Sequence, residues 1–195
     1  MAQPEDAERA LAQARATGDP RSIGGAESYL GASYLAHGRG PEALEALRGA
    51  EQTFADAGLA REAAISRVNV ARSLSETGRG DEAVTLYEAV GAEQPAIDRS
   101  VASAAWAGLV DHFERAGDPG QAAVRLQEAA RRLEAASLHS SAADVLMIEG
   151  DVHHRAGEGH QAADCFTRAV AAYDAAGDEQ GATNARHNLA VVSGG

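Results

Sequence analysis

The chain has 195 residues, of which 45% are hydrophobic and only 4% aromatic, and its formal net charge at pH 7 is -12. That charge argues against nucleic acid or an anionic membrane as a ligand, because both are attracted by basic surfaces. Cys165 is the single cysteine, which excludes an internal disulfide and favours a reducing compartment, so we expect a cytoplasmic protein.

Apolar residues recur at helical spacing from the first segment onward, and glycines interrupt them at a nearly fixed interval. Gly38, Gly78, Gly117 and Gly157 are separated by 40, 39 and 40 residues. Nine residues after each of these glycines stands a large apolar residue: Leu47, Tyr87, Leu126 and Phe166. A self-similarity of this length predicts stacked helix-turn-helix repeats, each of which buries its apolar face against the next.

In chain order, the repeat gives a half unit, four full units and a terminal helix. Their bounds are 4–17, 22–57, 60–95, 98–136, 139–176 and 179–193. We expect them to form one continuous domain over residues 1–195. In the second full unit, Gly91 and Gln94-Pro95 predict that the second helix stops early, and Asp98 predicts the next helix start.

The pattern of small and large residues within a unit narrows the fold class. The first unit reads Leu30-Gly31-x-x-Tyr34 in one helix and Ala43-x-x-x-Leu47-x-x-Ala50 in the next. This pattern resembles the tetratricopeptide repeat (TPR) family, in its variety of roughly 40 residues per repeat. The resemblance implies an all-α, right-handed α-solenoid of antiparallel helix pairs. The fourth unit departs from the pattern with Glu149-Gly150-x-x-His153, so we expect its first helix to pack less well.

The resemblance also implies where a ligand binds, because first helices line the concave groove of TPR arrays. Asparagine there pairs with a peptide backbone, and arginine binds carboxylates. The implied peptide-binding residues are Tyr29, Asn69, Arg72, Asp111, Arg115, Asp151, Arg155 and Asn188. A structural interpretation stays open for each type. For the asparagines, this alternative is a hydrogen bond to a neighbouring helix. For Arg115 and Arg155, it is rows of ion pairs with Glu76, Asp111, Glu114 and Asp151.

The resemblance implies a non-catalytic protein-protein interaction module that binds a peptide segment of a partner protein in the concave groove. We expect no cofactor, no nucleic acid and no membrane as partner. The alternative is a regulatory or effector-sensing part of a larger bacterial signalling or transcription protein, with a small effector in the groove. The same scaffold carries unrelated ligands, so the partner itself is not encoded in the pattern.

Five residues of the fourth unit come nearest to a metal or catalytic cluster: Asp151, His153, His154, His160 and Cys165. His153 and His154 are adjacent, so on a helix they point about 100° apart. Cys165 lies on the following helix, and the spacing therefore predicts no metal site. We expect Cys165 to behave as a small buried hydrophobe.

The two ends of the repeat array are predicted to leave apolar side chains uncovered. Leu11 lies in the half unit, and Leu189, Val191 and Val192 lie in the terminal helix. Apolar patches of this kind favour association, so we expect weak homo-oligomers through the solenoid ends.

Overall fold

The computed structural model of the protein describes residues 3–93 and 97–194. These residues form ten α-helices and no β-strand, which confirms the all-α prediction. The helices are α1 (Pro4–Thr17), α2 (Pro20–Ala36), α3 (Gly40–Asp56), α4 (Ala60–Glu76), α5 (Gly80–Ala92), α6 (Arg99–Arg115), α7 (Pro119–Ala135), α8 (His139–Arg155), α9 (Gly159–Ala176) and α10 (Glu179–Ser193). No helix in these ranges is long and apolar enough to cross a membrane.

The irregular second unit is visible in the helix lengths. Helix α5 has 13 residues and ends at Ala92, whereas α4 and α6 have 17. Helix α6 begins after Asp98, whose carboxylate accepts a hydrogen bond of 2.7 Å from the backbone N–H of Ser100. That bond satisfies one of the free N–H groups of the first turn and fixes the helix start. Gln94 and Pro95, on which the predicted early stop partly depended, lie outside the described residues.

Apart from the α5–α6 connection, which is described only in part, the turns between helices share one geometry, with a residue in the left-handed region at nearly every twentieth position. That residue is glycine in seven turns, at positions 18, 38, 58, 78, 117, 157 and 177. In the turn between α7 and α8 it is Ser137, with φ 58°. The backbone N–H of Ser137 bonds the carbonyl of Glu134 at 2.9 Å, as Gly157 bonds His154 at 3.0 Å. Ser137 therefore occupies a position that the repeat gives to glycine.

The predicted core row is confirmed, because Leu47, Tyr87, Leu126 and Phe166 are each at most 2% exposed. Small residues on the partner helix make room for them. A Cβ atom added to Gly31 would lie 2.5 Å from Cγ of Leu47, and one added to Gly150 would lie 2.5 Å from Cε1 of Phe166. In the first and fourth units, the two helices thus approach each other through glycine.

The chain divides into two compact units, Met1–Val90 and Gly91–Gly195. In the first, α2 packs on α1 and α3, and α3 packs on α4; in the second, helices α6 to α10 pack in sequence, and α6 also contacts α8. Helices joined by turns of two or three residues and packed on each other run antiparallel, as in stacked repeats. The single continuous domain over residues 1–195, with its unit bounds, stays a prediction.

Two packing predictions are wrong. The first helix of the fourth unit, α8, was expected to pack less well, but Val145 and Leu146 are buried and the ring of Phe166 packs against Gly150. At the other end of the chain, Leu11 is not left uncovered, because it is buried against the Leu30 side of α2.

In the terminal helix α10, Val191 is 53% exposed, while Leu189 and Val192 are partly buried. Self-association through this helix stays a prediction.

Candidate functional site

In the first compact unit, the predicted peptide-binding residues lie on α2 and α4. Tyr29 presents an exposed ring on α2. On α4, Arg72 donates a hydrogen bond of 3.2 Å to the side-chain oxygen of Asn69. Asn69 is thus engaged by its own helix, one turn away, and not by a neighbouring helix as the structural interpretation proposed.

In the second unit, helices α6 and α8 form a groove that brings three of the predicted residues together. We call it the α6–α8 groove, a cavity of about 540 Å³. Its lining residues are Ala107, Val110, Asp111, Glu114, Ile148, Asp151, His154 and Arg155. Both helices are first helices of adjacent repeats, so the groove lies where the resemblance places a ligand.

Ion pairs organise the charged rim of the α6–α8 groove. Arg115 contacts Asp111 at 2.8 Å, four residues earlier on the same helix. Arg155 reaches from α8 to Glu114 on α6, with an N···O distance of 2.9 Å. Both arginines are therefore engaged by carboxylates of the protein, as the ion-pair interpretation expects. Such exposed pairs contribute about 0–1 kcal/mol each, so they position side chains more than they stabilise the fold.

Asp151 also lines the groove, but its carboxylate takes part in neither of these ion pairs. Among the described residues, none donates a hydrogen bond to its side chain, and Arg155 bonds only its backbone carbonyl, at 3.3 Å. Partial desolvation raises the pKa of Asp151, although the charges of Arg155 and His154 act in the opposite direction. Asp151 is thus the rim group most open to a donor from a ligand.

Asn188 is separate from this site. It lies half-buried on α10, which packs against α9, and it is not among the residues that line the α6–α8 groove. The structure therefore places the eight predicted residues on several first helices and gathers Asp111, Asp151 and Arg155 in one cavity, with Arg115 beside it.

A second cavity, of about 500 Å³, lies in the first unit between α1, α2 and α3. Its most buried acid is Glu27, which accepts hydrogen bonds from Thr53 at 2.8 Å and Arg15 at 3.3 Å. Tyr34 donates to Glu8 at 2.6 Å, and this bond raises the pKa of the phenol. These carboxylates are satisfied by neighbouring helices, so they join α1 to α2 and α3. Sequence reasoning missed Glu27, since an acid in an amphipathic helix is ordinarily exposed.

A third group of residues joins α8 to α9 in the second unit. The ligand atoms of Glu149, His153 and Cys165 lie within 4.8 Å of one another. Cys165 lies on the next helix, as the sequence indicated, but α8 and α9 face each other at this point, so Cys165 comes near His153. That no metal binds here stays a prediction. Glu149 was noticed only as a departure from the repeat. His154 and Asp151 line the α6–α8 groove instead, and His160 is exposed.

Comparisons with known proteins agree with this architecture. No protein-family model matches the chain, and no curated protein matches it. Among solved structures, BtubC (BKLC) from P. vanneervenii is similar, with 19% identity, 98% of this chain and 90% of that chain covered, and a TM-score of 0.55. Kinesin light chain TPR-like repeats from Podosopora anserina match with 19% identity, 90% and 96% coverage, and a TM-score of 0.46. Together with the sequence repeat, the first likeness shows a TPR-like repeat fold.

Proposed function

We propose that the chain is a non-catalytic protein-protein interaction module, and that the α6–α8 groove binds a peptide segment of a partner protein. The observation that carries this proposal is the groove itself. Ala107, Val110 and Ile148 give it an apolar floor, and charged side chains form its rim. A volume of about 540 Å³ suits a few side chains of a peptide.

The pairing of the rim charges favours a particular kind of peptide. Arg115 and Arg155 already hold carboxylates, so they have little to gain from an acidic ligand. Asp151 accepts no side-chain hydrogen bond from the described residues, and the whole chain carries a net charge of -12. The partner segment therefore carries a basic side chain that pairs with Asp151 and an apolar side chain that packs on Val110 and Ile148.

The first helices of the first compact unit carry three of the predicted residues, Tyr29, Asn69 and Arg72. Their side chains present an aromatic ring, an amide and a guanidinium that a peptide can contact. The amide of Asn69 still has donor capacity while its oxygen accepts from Arg72. We infer that Asn69 contacts peptide backbone, because an amide both donates and accepts, and that Tyr29 and Arg72 contact peptide side chains. Asn188 on α10, which lies apart from the α6–α8 groove, offers the same kind of contact as Asn69.

The proposal is tested by selecting peptides from a random library on the immobilised full chain. We expect the enriched peptides to carry a basic residue near an apolar one, and their affinity to fall as salt rises, since salt screens the pair with Asp151. Asp151→Asn keeps the side-chain size and removes the charge. It should weaken binding at least about tenfold, because a hydrogen bond to a charged group contributes about 1.5–3 kcal/mol.

The matched control is Glu128→Gln, which removes the same charge from an exposed position on the second helix α7. It should leave peptide affinity unchanged. Failure of the library to enrich any peptide would contradict the proposal, and enriched peptides that bind wild type and Asp151→Asn equally would place the site outside the α6–α8 groove.

A further inference from the structure

The strongest unexplained feature lies between α8 and α9, on residues that the peptide groove does not use. Glu149 is 2% exposed and Cys165 is 3% exposed, while the His153 side chain is mostly buried beside them. One carboxylate oxygen, one imidazole nitrogen and the thiol sulfur lie within 4.8 Å of one another. We call these three residues the α8–α9 cluster.

The other repeats show that the fold does not need polar groups here. The residues that correspond to Glu149 are Leu30, Val70 and Leu109, and those that correspond to His153 are Tyr34, Leu74 and Phe113. Only the fourth unit replaces the buried apolar residue by an acid. Burying a carboxylate is costly unless a cation or hydrogen bonds compensate it, so this replacement requires a reason.

The carboxylate of Glu149 has a hydrogen bond with the thiol of Cys165 but is otherwise incompletely satisfied by the protein. Among the described residues, its Oε2 atom is buried and has no hydrogen-bond partner. Its Oε1 atom lies 3.9 Å from Nε2 of His153, which is beyond hydrogen-bond distance. Burial raises the pKa of Glu149, and the charge of Arg168 opposes this only in part, since the Arg168 guanidinium contacts Glu134 at 3.1 Å.

His153 is oriented toward the cluster by a second carboxylate. Its Nδ1 atom lies 2.5 Å from Oε2 of Glu158, in the turn that precedes α9. When Nδ1–H donates to Glu158, Nε2 carries the lone pair, and it lies 3.9 Å from Oε1 of Glu149. Histidine that binds a metal is ordinarily held in this way, by a carboxylate on its other nitrogen.

We propose that Glu149, His153 and Cys165 bind one zinc ion, or a divalent transition metal of similar preference. Sulfur, nitrogen and oxygen donors of this kind are the ones that zinc takes in proteins. A thiolate and a carboxylate together neutralise the charge of the ion, so the buried site becomes neutral. Tetrahedral zinc needs ligand atoms roughly 3.3 to 3.8 Å apart, so the cluster closes by about an ångström on binding. The thiol of Cys165 releases its proton to solvent as the sulfur–metal bond forms, and a water molecule fills the fourth position.

The proposal is independent of peptide binding, and cobalt is the probe that tests it. The full chain is treated with a chelator, dialysed without oxygen and titrated with Co²⁺. We expect saturable binding of one ion, with a near-ultraviolet charge-transfer band that only thiolate coordination produces. Zn²⁺ should displace the cobalt and abolish the band. Wild type without saturable binding of either ion overturns the proposal.

Variants distinguish the cluster from adventitious binding. Cys165→Ser should abolish the charge-transfer band, and Glu158→Gln should weaken metal binding about 10- to 100-fold, as loss of an orienting carboxylate does. Glu149→Leu restores the residue type of the first and third units, so it should fold and bind no metal. The control His160→Ala changes an exposed histidine of α9 that does not line the α6–α8 groove, and it should bind Co²⁺ like wild type. If His160→Ala loses the metal while Glu149→Leu keeps it, the assignment is wrong.

Discussion

Ser137 offers a sharp test of the turn geometry, because among the described residues it is the one non-glycine residue in the left-handed region. Its φ of 58° lies in the left-handed region. That region costs a residue with a Cβ atom roughly 1–2 kcal/mol. Replacing Ser137 with glycine removes this cost. It also stabilises the unfolded chain by about 0.4–1 kcal/mol, because glycine has more conformational entropy there. The difference predicts that Ser137→Gly raises the free energy of unfolding by about 0.5–1 kcal/mol.

The next turn supplies the reverse substitution as a matched control. Gly157 has a φ of 78°, and a Cβ atom added there would meet nothing within 4 Å. Gly157→Ser should therefore lower the free energy of unfolding by a similar amount, for conformational reasons alone. Urea unfolding followed by circular dichroism measures both variants at one temperature. A Ser137→Gly protein no more stable than wild type would refute the claim that this turn is strained.

Three further changes probe the core and the helix caps by the same unfolding measurement. Leu126→Ala removes a fully buried side chain and should cost about 2–5 kcal/mol; a loss under 1 kcal/mol would contradict its place in the core row. Gly150→Ala puts a methyl group 2.5 Å from the ring of Phe166 and should cost about 1–3 kcal/mol, whereas a neutral effect would show that the helix pair relaxes. Asp178→Ala removes a helix cap and should cost about 1 kcal/mol at pH 7. The bond from the backbone N–H of Gly181 lowers the pKa of Asp178, so this cost should shrink as the pH falls below the ordinary aspartate pKa, and a cost that persists in acid would refute the cap.

The repeat predicted the buried core residues well, because small and large residues recur at the same spacing in each unit. Leu126 is buried for the same physical reason as Leu47, so one aligned pattern places all four members of the row. The early end of α5 was predicted from Gly91 and Gln94-Pro95, and α5 does end early, at Ala92, although Gly91 itself lies inside the helix. Local signals of this kind need no knowledge of which helices meet in space.

Contacts between helices were harder to predict from the sequence. Sequence reasoning named Glu114 as one of four acids that Arg115 and Arg155 could pair with, but only the packing of α6 on α8 selects Glu114 for Arg155. Glu149 and Cys165 are far enough apart in sequence that only the packing of α9 on α8 brings them together. An acid at a core position was the available signal, and it was interpreted as poor packing. The sequence did not indicate strain at Ser137, because serine is common in turns.

The central claim is that a basic side chain of a bound peptide pairs with Asp151 in the α6–α8 groove. A charge-reversal double-mutant cycle tests it most directly, with Asp151→Arg in the protein and the basic residue of a selected peptide changed to glutamate. Each change alone should weaken binding, and the two together should restore much of it, with a coupling energy of about 1.5 kcal/mol or more. Additive losses, with a coupling energy near zero, would contradict the proposed contact.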